Sequence, residues 1–264
     1  MLVNDYYDTR SGVDVSLSNK PLASGDVPLP IAKKVLSIMY GILLMIVATL
    51  QGTPTRLLVV MGTMMTFYYT KYLKPKTWWK NIVCAMLMSL APLTSGYATL
   101  SHPFVLGVAQ SNDTVIDLWM TWKALGPLFC SLFCGFMGRE MIMDIKDCEE
   151  DKDAGIRTVP VSFGIETTTK IVLMFWIGTG FFSIMNPLLD LWSASSSIGA
   201  GISSSLIVSR GQSLRRLSLA LIGSSWLIMR AAQLILTKGY DEKLLMNAIE
   251  EAKLNVLFIL AASI

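Results

Sequence analysis

Apolar residues run through this chain in long unbroken stretches separated by short polar segments. The stretches lie at about 32–50, 55–72, 81–101, 118–143, 167–187, 190–209, 214–236 and 251–264. Most approach the roughly 20 residues that a helix needs to cross the hydrocarbon core of a bilayer. They are too long for strands and lack period-two alternation. The pattern therefore predicts an all-α fold, a polytopic transmembrane helix bundle of about seven or eight spans, with 1–264 forming one transmembrane domain. The weakest stretch is the Ser/Gly-rich segment Ser193–Ser205, which reads either as a span packed closely through small residues or as a partly dipped loop. The last run, Leu254–Ile264, is short.

Composition supports this reading. Of 264 residues, 53% are hydrophobic and 16% charged. A soluble domain carries about a quarter of its residues as charges. Membrane lipids are thus the expected surroundings. The net charge of +3 gives no argument for nucleic acid, and the positive excess suits the inside bias of membrane loops. The four cysteines, Cys84, Cys130, Cys134 and Cys148, show no CxxC spacing and read as reduced, mostly packing residues. His102 is the only histidine and precedes Pro103 in a loop, which nearly excludes His-based catalysis or metal binding.

Polar segments alternate in charge. The loop at 71–80 carries Lys71, Lys74, Lys76 and Lys80, whereas Gln51–Thr55 and His102–Ile116 contain no Lys or Arg. Two spans separate an N-terminal Asp cluster from the Lys loop, and two more lead to a second Asp cluster at 144–153. An even number of spans returns the chain to the same side. The positive-inside rule then puts both clusters and the Lys loop at the cytoplasmic, stromal or matrix face.

The first cluster contains Asn4, Asp5 and Asp8, followed by Asp14; the second contains Asp144, Asp147 and Asp151. On a helix, residues three and seven apart return to nearly the same face, so each cluster forms an acidic stripe. Carboxylates gathered at the mouth of a bundle repel one another unless a cation neutralises them, and acids near a membrane mark function. Mg²⁺ is the natural ion, because it takes carboxylate oxygens and completes its shell with water and substrate phosphates. Lys20, Lys74, Arg139, Lys146, Lys152 and Arg157 lie in or beside the same loops. Asp, Mg²⁺ and Lys or Arg together suit a diphosphate, and an apolar bundle suits a long lipid tail. Lys71, Lys76 and Lys80 read as markers of the inner face.

These motifs resemble those of the UbiA-type prenyltransferases. Asn4-Asp5-x-x-Asp8 is similar to the family's NDxxD signature, with Gly12 and Asp14 following the pattern of the menaquinone branch. Asn19–Gly25 resembles a shortened NRPxRPLPSG loop, and Tyr69-Thr70-x-x-x-Lys74 resembles YSxxxK. The most specific match begins at Arg139-Glu140 and runs through Asp144, Asp147 and Asp151 to Ala154-Gly155-Ile156-Arg157-Thr158-Val159-Pro160-Val161. It resembles the family's DxxDxxxD block and the AGxRTxPV segment after it.

The resemblance implies Mg²⁺-dependent transfer of a polyprenyl group from a prenyl diphosphate donor to a hydrophobic or amphiphilic acceptor in the membrane. The acceptor would be an aromatic quinone precursor or a lipid hydroxyl. Asp5, Asp8, Asp144, Asp147 and Asp151 would act as metal-binding catalytic residues. Asn4, Lys20, Tyr69, Lys74, Arg139, Lys146, Lys152 and Arg157 would bind substrate. The first motif points to the quinone branch, and the Arg139-Glu140 block to the ether-lipid branch that prenylates geranylgeranylglyceryl phosphate. Family members have nine spans, with the first motif ending the second. By that comparison two spans are missing before Met1, seven remain, and one of the last four stretches is not a separate span. An inactive, truncated paralogue serving as a membrane binding or scaffold protein is the alternative. A transporter reading is disfavoured, since nearly all the acids cluster at span ends and not within spans.

Overall fold

A computed structural model describes residues 2–11, 21–50, 53–69, 72, 79–100, 114–196, 204–237 and 241–263. The chain forms two units, Met1–Lys76 with Tyr97–Gln110, and Thr77–Gly96 with Ser111–Ile264.

In the first unit, α1 (Leu2–Ser11) carries the N-terminal Asp cluster. A turn follows in which the Val27 N–H donates to the Pro21 carbonyl at 3.0 Å and Gly25 takes a left-handed φ of 86°. That conformation strains any residue with a Cβ. Helix α2 (Leu29–Thr49) begins after Pro28 and carries Pro30 in its first turn, where a missing N–H costs nothing. It ends at Leu50, whose carbonyl accepts from Arg56 Nε at 2.6 Å. Helix α3 (Thr53–Tyr68) follows. Tyr7 of α1 meets Phe67 of α3 edge-on, with ring centroids 5.9 Å apart.

The second unit is built on α4 (Trp79–Leu100), whose last turn belongs to the first unit, α5 (Thr114–Lys146), α6 (Cys148–Asp153), α7 (Val159–Phe163), α8 (Ile165–Ser196), α9 (Ser204–Leu236) and α10 (Glu242–Ser263). Its core gathers Met137, Met141, Ile142, Val172, Trp176, Leu227, Leu234 and Ile249. Lipid supplies little hydrophobic drive between helices, so close approach through small residues matters. Glycines provide it here. A Cβ at Gly138 of α5 would stand 2.3 Å from Trp176 Nε1 of α8, and one at Gly178 would stand 3.1 Å from Cys134 Sγ. Gly180 of α8 lies against Ser224 of α9, and Gly223 of α9 against Asn255 and Phe258 of α10. The Ser131 hydroxyl adds a 3.0 Å bond to the Thr179 carbonyl. Trp176 is fully buried and has no room to retreat. Gly138→Val should therefore cost about 1–3 kcal/mol or prevent assembly, read as a lower Tm in detergent; a wild-type Tm would remove this contact from the account.

Among the described residues, seven helices of 16 residues or more replace the eight expected stretches. The expected span at 190–209 is not a helix of its own. Its first part continues α8 to Ser196 and its last part opens α9, which begins at Ser204. The acidic stretch after Tyr240 joins the short terminal run as the single helix α10, so that run begins at Glu242 and not at 251. Among the described residues, three helices are long and apolar enough to cross a membrane by length and composition, Leu29–Thr49, Ile165–Trp192 and Ser209–Leu236. Their outer faces expose Met45, Met174, Trp192 and Leu236. Apolar exposure on this scale suits lipid and not water.

Candidate functional site

Asp144 sits in the last turn of α5 and is only 4% exposed. A carboxylate that deep needs a counter-charge and hydrogen bonds. The first turn of α4 supplies both. Lys80 Nζ lies 2.8 Å from Asp144 Oδ1, and Asn81 Nδ2 donates to Asp144 Oδ2 at 2.7 Å. Burial pulls the Lys80 ammonium down, but the charge and hydrogen bond of Asp144, with Asp151 and Asp147 adding to them, hold its pKa above the ordinary lysine value. Lys80 is therefore a fixed cation.

Asp147 stands in the turn between α5 and α6, at the N-cap of α6, where its side chain makes no capping bond. The sequence led to one continuous acidic helix; the structure breaks it here, between Lys146 and Cys148. The backbone ladder nonetheless runs through the break, with Asp147 N–H to the Met143 carbonyl at 3.0 Å and Asp151 N–H to the Asp147 carbonyl at 2.8 Å. The helical spacing of Asp144, Asp147 and Asp151 is kept for that reason. Gly155, at φ 70°, then ends α6. Its N–H bonds the Lys152 carbonyl at 3.1 Å, and the Ile156 N–H bonds the Asp151 carbonyl at 2.8 Å. A left-handed glycine closing orphan carbonyls is a common helix end.

Asp151 Oδ2 is buried without a hydrogen-bond partner among the described residues. Thr158 Oγ1 lies by it, favours its ionised form, and is itself buried without a bond of normal geometry. Burial raises the carboxyl pKa of both Asp147 and Asp151, neighbouring acids add to the effect, and Lys80 opposes it. One turn before Asp144, Arg139 Nη1 pairs with Glu140 Oε1 at 2.6 Å, and Arg139 Nε is buried without a hydrogen-bond partner among the described residues. Lys146, Lys152 and Arg157 are exposed at the edge of this group.

The first unit holds the other candidates. Asp5 is half-buried on α1, and Tyr69 is half-buried just beyond α3. Asn4 and Asp8 lie on α1, with side chains outside the described residues; Lys20, Lys74 and Asp14 lie outside them altogether. Tyr40, Thr63, Met64, Met65, Phe67, Tyr68 and Tyr72 line an apolar groove of about 650 Å³.

Lys80 and Asn81 are the residues the sequence reading missed. Lys80 is not only a face marker, as its loop charge implied, since the fold carries it to Asp144. The available signal was local: a Lys-Asn pair opening an otherwise apolar helix.

The donor set can be tested against Mg²⁺. Among the described residues, no three His, Cys, Asp or Glu side chains form a closed metal cage. Mg²⁺ does not need one, as one or two carboxylates, waters and substrate phosphates serve it. Asp147 offers a carboxylate that makes no capping bond and Asp151 a buried oxygen without a normal hydrogen bond among the described residues, both hard ligands. The residues fit the ion.

A family model described as the UbiA prenyltransferase family matches residues 1–233. Digeranylgeranylglyceryl phosphate synthase from Thermococcus sibiricus is 26% identical over 189 residues, 70% of this chain and 58% of that protein. The enzyme of that name from Pyrococcus horikoshii is 28% identical over 72% of this chain and 59% of its own length. That from Methanosphaera stadtmanae is 27% identical over 71% and 60%. The chain thus spans about three fifths of the length of the curated relatives it matches. A solved structure from work on digeranylgeranylglyceryl phosphate synthase in membranes superposes with a TM-score of 0.66 and 18% identity, covering 99% of this chain and 78% of that one. The likeness in structure carries the fold, an all-α membrane bundle.

Proposed function

Because the chain belongs to the UbiA prenyltransferase family and is an integral membrane protein, we propose that it transfers a prenyl group from a prenyl diphosphate to a lipid hydroxyl, with Mg²⁺ as cofactor. The observation that carries this reading is the second acidic cluster: a paired, buried Asp144 beside two carboxylates, Asp147 and Asp151, that have oxygen to spare. Relatives named for digeranylgeranylglyceryl phosphate favour geranylgeranylglyceryl phosphate as acceptor over a quinone precursor.

The second cluster would hold Mg²⁺ through Asp144, Asp147 and Asp151, and the first cluster through Asp5 and Asp8, with Asn4 assisting. Bound there, the ion supplies charge neutralisation to the departing diphosphate. Arg139, whose Nε has no hydrogen-bond partner among the described residues, and the exposed Lys146, Lys152 and Arg157 would supply further positive charge to the phosphates. On the resemblance of their motifs, Lys20, Lys74 and Tyr69 would also bind substrate. Fixed charges of this kind, set before the reaction, commonly account for most of an enzyme's rate. The apolar helices keep water from capturing the allylic cation before the acceptor does. The positive-inside pattern puts the motif loops on the cytoplasmic, stromal or matrix side.

The test is transfer of label from geranylgeranyl diphosphate, with and without Mg²⁺, by the chain in nanodiscs, to geranylgeranylglyceryl phosphate and to quinone precursors in turn. Mg²⁺-dependent transfer to the glyceryl phosphate is expected. Transfer only to a quinone precursor would overturn the acceptor. Diphosphate binding without any transfer would favour a binding or scaffold role.

A pH effect follows from the raised carboxyls. A group with a folded pKa above its unfolded value contributes stability below the ordinary aspartate value of 3.8, and loses it as pH rises through the folded value. At neutral pH, Asp147 and Asp151 therefore weaken the metal-free fold. Mg²⁺ should raise Tm at pH 7 and raise it less as pH falls toward that window. A Mg²⁺ effect that does not change with pH would contradict this.

A further inference from the structure

The fold brings Lys80 from the opening turn of α4 into the second acidic cluster. Its ammonium touches Asp144 at 2.8 Å and also feels the charges of Asp147 and Asp151. Its side chain is 16% exposed, so the ammonium is not sealed off inside the fold. Lys80 is the cation paired with Asp144, while Lys146 also acts on Asp147 and Glu150 adds negative charge beside it. Asp144 has both oxygens engaged, whereas Asp151 has a buried oxygen without a hydrogen bond of normal geometry among the described residues. Asn81, 1% exposed, fixes Asp144 through Oδ2 and leaves Oδ1 to whichever cation is present.

We propose that Lys80 is an internal counter-cation that holds Asp144 Oδ1 until a divalent ion is bound, and then turns its ammonium to the phosphates of the substrate. This rests on the metal and diphosphate reading above. Like charges repel strongly at contact distance in a half-buried site, so Lys80 and a divalent ion do not share Asp144 Oδ1. A lysine can make the exchange, since its four-carbon stem is flexible and its three donors rotate freely. Asn81 keeps Asp144 from following. A diphosphate then gives the released ammonium a strong, charge-assisted partner. Lys80 would in this way make ion binding weak alone and strong with substrate.

The test uses the full chain in detergent with Mn²⁺ as the ion probe and inorganic pyrophosphate as the phosphate probe. In Lys80→Gln, Mn²⁺ alone should bind on the order of tenfold tighter, the scale of one partly buried ion pair. Pyrophosphate in the presence of Mn²⁺ should bind weaker by a similar factor. Lys80→Arg should keep the wild-type order of both affinities. Unchanged or weaker Mn²⁺ binding in a cooperatively melting Lys80→Gln protein would make Lys80 a static prop and overturn the inference. Wild-type protein gives a second measurement that depends on no variant. Reductive methylation of Lys80, mapped by mass spectrometry, should quicken with Mn²⁺ and slow again when pyrophosphate is added. A rate that ignores Mn²⁺ would equally overturn the exchange. Wild-type protein that binds neither probe would sink the metal and diphosphate reading itself, a result distinct from binding that Lys80 does not affect.

Discussion

In Asp151→Asn, Mg²⁺-dependent prenyl transfer is expected to fall about 10³-fold, the scale of several kcal/mol of lost charge stabilisation at a metal-assisted step. Asp151 Oδ2 is buried without a hydrogen bond of normal geometry among the described residues, so the change breaks no such bond at that oxygen. The amide keeps the shape and removes the anion. The metal-free variant should melt no lower than wild type, because a carboxyl whose pKa burial has raised is a burden to the fold at neutral pH. Asp147→Ala should abolish transfer in the same way and leave membrane insertion intact. Transfer within tenfold of wild type in Asp151→Asn would remove the central role given to the second cluster.

Glu251→Ala should cost about 1–3 kcal/mol of stability, because it leaves one side of a partly buried ion pair without its partner. Arg230 of α9 lies within a span-length apolar helix and holds Glu251 of α10 through two bonds, one of them Nε to Oε2 at 2.5 Å. A third bond runs from Arg230 Nη1 to Gln233 Oε1 at 2.8 Å. Both side chains of the pair are only 17% exposed. Removing Glu251 leaves a guanidinium in apolar surroundings with a single neutral partner. Replacing both residues by apolar ones should restore much of the loss, since burying the pair is itself costly. A double-mutant cycle in detergent reads this directly, and a single-variant loss below about 1 kcal/mol would show the pair to be solvated.

The all-α bundle was legible because long apolar runs leave few other folds, and the second cluster because its residue types and spacing persist through the break at Asp147. The boundary between α8 and α9 was not legible. Small residues at 190–209 are apolar enough to imitate a span while ending one helix and beginning another. Helix α10 was misread because the acids Glu242, Glu250 and Glu251 hid its start. Glu250 bonds Lys253, and Glu251 bonds Arg230 of another helix, so these charges are satisfied within a helix that charge counting would have cut short. Lys80 escaped for a different reason. Its partner is 64 residues away, and no local pattern predicts that contact.

The glycine contacts between α5, α8, α9 and α10 bear on how this sequence can drift. In a soluble bundle the costly substitutions are those that shrink a core side chain. Here the lipid-facing positions such as Met174 and Leu236 can exchange one apolar residue for another almost freely, while Gly138 and Gly223 admit no added carbon without moving Trp176 or Asn255. The smallest residues should therefore be the slowest to change. A saturation library selected for folded protein would show its deepest troughs at positions that contribute no side chain.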